Sequence, residues 1–101
     1  MTLIRAGILK SVVVDTISLP VPGYYCLKGT VVYGKLHDAN VEASQVEVIK
    51  NDIDDFDVEL SAEKNTISLF NIPIGYCKSG DVVVINSCAN SKIAYELELV
   101  E

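Results

Sequence analysis

The last quarter of the chain constrains the fold most, because it holds two segments with strand-like apolar patterns. Residues 82–85 form an unbroken run of valine and isoleucine after a Gly80-Asp81 turn. A run that is apolar on both sides is typical of a central strand, whereas strict alternation is typical of a half-buried neighbour. The second segment alternates, with Ile93, Tyr95, Leu97 and Leu99 on one side and Lys92, Ala94, Glu96 and Glu98 on the other. Because residues 88–91 between them have hairpin length, the sequence predicts a C-terminal hairpin in a β core.

The longest strand candidate spans residues 24–36 and supplies the predicted contact surface. One face carries Tyr25, Leu27, Val31 and Tyr33, and the other carries Tyr24, Cys26, Lys28, Thr30 and Val32. The second face is more apolar than a solvent-facing side requires. Tyr24, Cys26 and Val32 are therefore predicted to form an interface. Gly29, in mid-strand, indicates a bulge or a close approach of two backbones.

The remaining segments predict further short strands separated by turns. Residues 2–9 and 11–19 are extended, and the Pro20-Val21-Pro22 segment that follows is predicted to pass from one sheet to the other. Residues 40–45 could form a single helical turn. Alternation over 56–60 predicts a strand with one wet face, and the loop 61–65 predicts a hairpin with residues 66–72. Tyr76 is expected at a corner, with its ring inward and its hydroxyl on the backbone.

These elements predict a single all-β domain over residues 1–101. Seven or eight short strands, with turn signals about every ten residues, are typical of an antiparallel β-sandwich with an immunoglobulin-like or transthyretin-like Greek key. Gly29-Thr30-Val31, Ala39-Asn40-Val41 and the segment 71–76, Asn-Ile-Pro-Ile-Gly-Tyr, carry a resemblance. Their spacing resembles that of transthyretin-like and carboxypeptidase-regulatory-like sandwiches. That resemblance implies a small module that folds, braces or binds rather than catalyses.

Charge and hydropathy disfavour two classes of partner. The net charge is −6, with 14 acidic and 8 basic residues. This balance repels phosphate backbones and anionic lipid surfaces, so no nucleic acid is expected as a partner. The longest apolar runs are too short for a transmembrane helix, so no membrane insertion is expected. The first ten residues lack the apolar core of a signal peptide, and the compartment stays open.

The densest charge feature is an acidic cluster that suggests a weak calcium site. Asp55, Asp57 and Glu59 lie on one strand face in steps of two residues, about 7 Å apart. Hard cations such as Ca²⁺ take several carboxylates, but the EF-hand pattern is missing. A solvated acidic face that discourages edge-to-edge pairing is the favoured reading, with no metal site.

No group of residues has the pattern of a catalytic or cofactor site. The single histidine, His37, lies in a predicted loop, and no Gly-x-Ser-x-Gly elbow accompanies it. Cys26, Cys77 and Cys88 form no C-x-x-C pair, so reduced, buried thiols are favoured over a zinc site, with a Cys77–Cys88 disulfide as a lesser alternative. No glycine-rich phosphate loop is present. The chain is therefore expected not to be an enzyme and to bind no cofactor.

The leading hypothesis is a non-catalytic structural or protein-binding module that self-associates, for example in a surface or virion assembly. Its basis is the apolar face around Tyr24, Cys26 and Val32. The alternative is a carbohydrate- or small-ligand-binding sandwich that reads its ligand with the exposed rings of Tyr24 and Tyr76.

Overall fold

The computed structural model describes residues 1–34, 43–60 and 66–100, and these residues form eight β-strands and no helix. The strands are β1 (Thr2–Lys10), β2 (Val13–Ser18), β3 (Gly23–Tyr33), β4 (Ser44–Lys50), β5 (Ile53–Leu60), β6 (Ser68–Cys77), β7 (Val82–Ser87) and β8 (Ser91–Val100). The predicted antiparallel β-sandwich is confirmed, with eight strands. No helix within these ranges is long and apolar enough to cross a membrane.

The strands form two four-stranded sheets in which every neighbouring pair is antiparallel. Sheet 1 has the order β1-β8-β3-β6, and sheet 2 has the order β2-β7-β4-β5. This is the arrangement of a jelly roll, an eight-stranded double sheet built from two Greek keys. In the immunoglobulin order the first two strands are neighbours. Here they lie in different sheets, so the chain crosses the sandwich at almost every connection.

Two predicted hairpins are wrong for this reason. β7 lies in sheet 2 and β8 in sheet 1, so residues 88–90 form an arch between the sheets rather than a hairpin turn. β5 and β6 are likewise in different sheets, while the loop 61–65 lies outside the described residues. The single hairpin of the described chain joins β4 to β5 through Asn51 and Asp52, at φ 57° and 62°. Two left-handed residues in a two-residue loop are typical of a type I′ turn.

The core forms where the inward faces of the two sheets meet. The predicted inward side of β3 is confirmed, because Tyr25, Leu27, Val31 and Tyr33 are all buried. The alternation of β8 is confirmed from Lys92 to Leu97, whereas Glu98 on the outer side is also buried and Leu99 is half-buried. Further buried residues come from both sheets, among them Leu9, Ile17, Val46, Val48, Ile72, Ile74, Val83, Ile85, Ile93, Tyr95 and Leu97.

The connection 19–22 does pass from sheet 2 to sheet 1, as predicted. The predicted hydrogen bond from a tyrosine hydroxyl to the backbone is made by a different tyrosine. Tyr25, not Tyr76, sends its hydroxyl back to the backbone, where it donates to the Val21 carbonyl oxygen. Tyr76 lies on β6 with half of its surface exposed. The prediction failed because it treated residues 71–80 as a long connection between sheets, whereas β6 continues through Pro73 to Cys77 as an edge strand.

The β1–β2 arch holds the most strained backbone of the described chain. Ser11 and Val12 lie at φ 35° and 60°. The left-handed region costs a residue other than glycine about 1–2 kcal/mol, and a β-branched residue is an outlier there. Ser11 is held by the β7–β8 arch: its N–H donates to Ser91 O at 2.9 Å, and its Oγ accepts from Asn90 N at 3.0 Å. Val12 is 76% exposed.

Candidate interaction surface

The outer face of sheet 1 contains a groove of about 830 Å³ that runs across its four strands. One row of facing residues explains its shape: Ile8 pairs with Ala94, Ala94 with Thr30, and Thr30 with Leu69. The two central strands carry the small side chains Ala94 and Thr30. The two edge strands carry Ile8 and Leu69, which are 62% and 83% exposed. The edge residues therefore form apolar walls on both sides of a low floor.

The charges beside the groove are largely paired. Lys28 Nζ lies 2.7 Å from a Glu98 oxygen and 3.9 Å from a Glu96 oxygen. The hydrogen bond to Glu98, followed by the charge of that carboxylate, raises the pKa of Lys28, and the same hydrogen bond lowers the pKa of Glu98. The charge of Lys28 is thus balanced by Glu98, and the exposed carboxylate of Glu96 leaves one negative charge beside the apolar walls of the groove.

Two exposed tyrosines meet at one end of the same face. Tyr24 and Tyr76 are direct partners across β3 and β6, and their ring centroids lie 5.3 Å apart at an interplanar angle of 69°. This edge-to-face arrangement leaves Tyr24 61% exposed and Tyr76 50% exposed. The sequence named both residues but could not show that they touch.

The three predicted interface residues lie on this outer face but do not form one patch. Tyr24 is exposed, whereas Cys26 and Val32 are half-buried. Tyr24 and Val32 are eight residues apart on one strand, about 26 Å at the rise of a β-strand. All three cysteines are free thiols, and Cys77 is the buried one.

Exposed large apolar side chains are also concentrated in the first fourteen residues, which comprise β1, the β1–β2 arch and the start of β2. Six of the thirteen large apolar side chains that are exposed in the described chain belong to residues 1–14: Met1, Leu3, Ile8, Val12, Val13 and Val14. The sequence interpretation missed this cluster, because it treated 2–9 and 11–19 as ordinary strands. The run Val12-Val13-Val14 after Lys10-Ser11 was the signal that could have found it.

The acidic residues of β5 do not converge on one point. Asp55 lies at a register shift of the β4–β5 ladder, and its carboxylate is 3.2 Å from Lys50 Nζ. Asp57 faces Glu47 of β4, an acidic neighbour that the sequence did not reveal. Within the described ranges no group of three histidine, cysteine or acidic side chains could hold a metal ion. Calcium binding by Asp55, Asp57 and Glu59 stays a prediction without support from this geometry.

The buried hydroxyl cluster at the β7–β8 arch fastens the two sheets. Ser91 Oγ lies 2.8 Å from Ser44 Oγ and 2.9 Å from Ser87 Oγ, and Cys88 N donates to Ser44 Oγ at 3.0 Å. The partners are hydroxyls, backbone groups and the Cys88 thiol, whose Sγ accepts from Ser44 Oγ at 3.3 Å, and none of these groups is a general base. His37 lies outside the described residues. The cluster therefore has the composition of a structural network.

No protein-family model matches the chain, and no curated protein matches it as a relative. The resemblance to transthyretin-like and carboxypeptidase-regulatory-like modules stays a prediction.

Proposed function

We propose that the chain is a non-catalytic structural module that assembles with copies of itself. The observation that carries this proposal is the concentration of exposed large apolar side chains on β1, on the β1–β2 arch and on the outer face of sheet 1. A concentration of exposed apolar side chains of this kind is typical of protein–protein contact sites. Jelly rolls occur in viral capsids and in lectins, and this fold-level analogy agrees with an assembly role without deciding it.

The edge of the outer face of sheet 2 is acidic, and this contrast with sheet 1 also favours assembly through the apolar residues of sheet 1. The edge strand β5 presents Asp54, Asp57 and Glu59 to solvent, and Glu47 faces Asp57 from β4. Like charges in this arrangement repel an approaching sheet. The apolar contact is therefore expected on the side of β1 and sheet 1.

Self-association should be visible in sedimentation velocity from micromolar to millimolar protein. The average mass is expected to rise with concentration. It should rise more steeply in 1 M than in 0.1 M NaCl, because salt screens the repulsion between chains of net charge −6 and leaves apolar contacts intact. A chain that stays monomeric over the whole range in both salts contradicts the proposal.

The Tyr24–Tyr76 pair favours a second candidate function, the binding of a carbohydrate. Exposed aromatic rings offer flat apolar faces, and the two rings here are adjacent and fixed by the β3–β6 ladder. A glycan array is expected to show hits that Tyr24→Ala and Tyr76→Ala abolish and that Tyr24→Phe and Tyr76→Phe retain. An array without hits for the unmodified chain removes this candidate.

A further inference from the structure

The two residues that connect β1 to β2 do not suit the backbone conformation that they adopt. Ser11 and Val12 lie in the left-handed region, at φ 35° and 60°. The other left-handed residues of the described chain that are not glycine are Asn51, Asp52 and Asn90, types that tolerate this region. Valine does not, because its branched Cβ crowds the backbone. Here alone the local sequence opposes the turn.

The sequence around this connection favours a continuous strand instead. Val12, Val13 and Val14 are β-branched, and residues 8–18 contain no glycine, proline or asparagine that would mark a turn. The three valines are 76%, 41% and 56% exposed, so straightening the connection gives up little of their burial. Residues 2–18 would then form one long strand, with β1 pointing away from its own sandwich.

We infer that β1 is exchanged between two copies of the chain, with Ser11 and Val12 as the hinge. Each β1 would pair with β8 of the second copy in the antiparallel register that it has within one chain. The site that β1 vacates fits β1 itself, so the occupant is a second copy. Exchange of an identical element is a low-cost route to a dimer, and a short hinge under strain invites it. This inference rests on the proposed self-association and names the element that carries it.

The straightened hinge also creates a contact that a single chain lacks. β1 ends and β2 begins at the same end of the sandwich, so the two copies would meet at that end with their hinge segments side by side. The exposed valines of residues 12–14 would gain burial between the copies. Two hydrogen bonds of Ser11 oppose the opening, from its N–H to Ser91 O at 2.9 Å and from Asn90 N to its Oγ at 3.0 Å.

One ion pair across the sandwich reports on the exchange. Arg5 of β1 lies 3.0 Å from an oxygen of Asp15 on β2, and the hydroxyl of Tyr95 on β8 donates to the other oxygen. When β1 leaves, Arg5 moves with it, whereas β2 and β8 stay in their own copy. In the exchanged dimer Arg5 of one copy therefore meets Asp15 of the second copy.

Two charge-reversed variants turn this pair into a test. Arg5→Asp alone places two carboxylates at the pair, and Asp15→Arg alone places two guanidinium groups there. An exchanged heterodimer of the two variants restores opposite charges at both positions. After refolding the mixture from urea at high concentration, native mass spectrometry is expected to find heterodimers in about tenfold or greater excess over each homodimer. Intact chains that touch only through their surfaces restore no pair and associate without this preference.

Hinge variants supply a second measurement. Val12→Gly relieves the left-handed strain that favours opening, and it is expected to raise the dissociation constant of the refolded dimer about tenfold or more. Asp52→Gly makes the same kind of change in the β4–β5 turn and is the matched control, with an expected change below about threefold. The chain with both Arg5→Asp and Asp15→Arg should form dimers as the unmodified chain does.

The outcomes separate this inference from the proposed function. A refolded mixture without an excess of heterodimers overturns the exchange, and the proposed function stands if the mass of the unmodified chain still rises reversibly with concentration. Heterodimers in excess, from a chain whose mass does not rise in this way, support the exchange and overturn assembly through the exposed apolar surfaces.

Discussion

Replacing Gly29 with alanine is expected to lower the free energy of unfolding by about 3 kcal/mol, the upper part of the range for overpacked interiors. A Cβ at this position would lie 1.9 Å from the carbonyl oxygen of Ala94 and 2.9 Å from Tyr95 Cα. These atoms belong to the backbone of β8, which pairs with β3 in the middle of sheet 1. No side-chain rotation relieves such a contact, so the two strands must separate.

Gly34→Ala is the matched control for this substitution. A Cβ at Gly34 would lie 3.5 Å from Asn90 O, an ordinary contact distance. In both variants alanine reduces the conformational entropy of the unfolded chain, which stabilises the folded protein by about 0.4–1 kcal/mol. Urea denaturation of both variants isolates the clash. Equal stabilities for the two would show that β3 and β8 do not approach as closely as described.

Asp81→Ala is expected to lower the free energy of unfolding by about 3 kcal/mol, because it removes a carboxylate that accepts two backbone hydrogen bonds. One oxygen accepts from Lys78 N at 2.8 Å and the other from Asn51 N at 3.0 Å. Asp81 is 9% exposed, so the orphaned donors regain little hydration. The residue ties the turn before β7 to the β4–β5 hairpin, and its loss releases both.

The contribution of Asp81 to the free energy of unfolding should decrease as the pH falls. The hydrogen bond from Lys78 N, followed by that from Asn51 N, lowers the pKa of Asp81 below its ordinary value. A carboxyl with a lowered folded pKa stabilises the protein above its unfolded pKa of about 3.9 and loses that contribution as pH falls through the folded pKa. The stability difference between the unmodified chain and Asp81→Ala should therefore be constant from pH 6 to 5 and shrink below about pH 4.

Asp81→Asn is the control for that experiment, since it retains one acceptor oxygen and does not titrate. Its loss relative to the unmodified chain should be smaller than that of alanine at pH 6. Chemical denaturation at several pH values measures all three proteins. An Asp81→Ala deficit that does not change between pH 6 and 3 would show that the carboxylate is not the source of the stabilisation.

The sequence predicted which residues face inward more reliably than which strands are neighbours. The alternation of apolar and polar residues in β3 and β8 indicates which side of each strand is buried, because successive side chains of a strand point to opposite faces. Pairing is decided by contacts far apart in the chain. The stretch 82–100 accordingly looked like a hairpin, although its two strands lie in opposite sheets. The Asn51-Asp52 turn escaped notice because the expected Asn-Gly or Asp-Gly pair is absent.

The candidate surface was predictable only in part, for the same reason. The position of Tyr24, Cys26 and Val32 on the outward face of β3 follows from alternation alone. The neighbouring position of Tyr24 and Tyr76 requires the β3–β6 register, and the edge position of β1 requires the strand order. Neither the register nor the strand order can be predicted from a single segment of the sequence.

The central position of β8 in sheet 1 also affects when the protein can fold. β8 separates β1 from β3, so sheet 1 stays split until the last of the eight strands emerges from the ribosome. Almost every ladder joins residues distant in the chain, and such topologies close slowly. A nascent chain stalled before residue 91 would expose the β1 and β3 backbones, so sheet 1 of this domain can close only after β8 has been made.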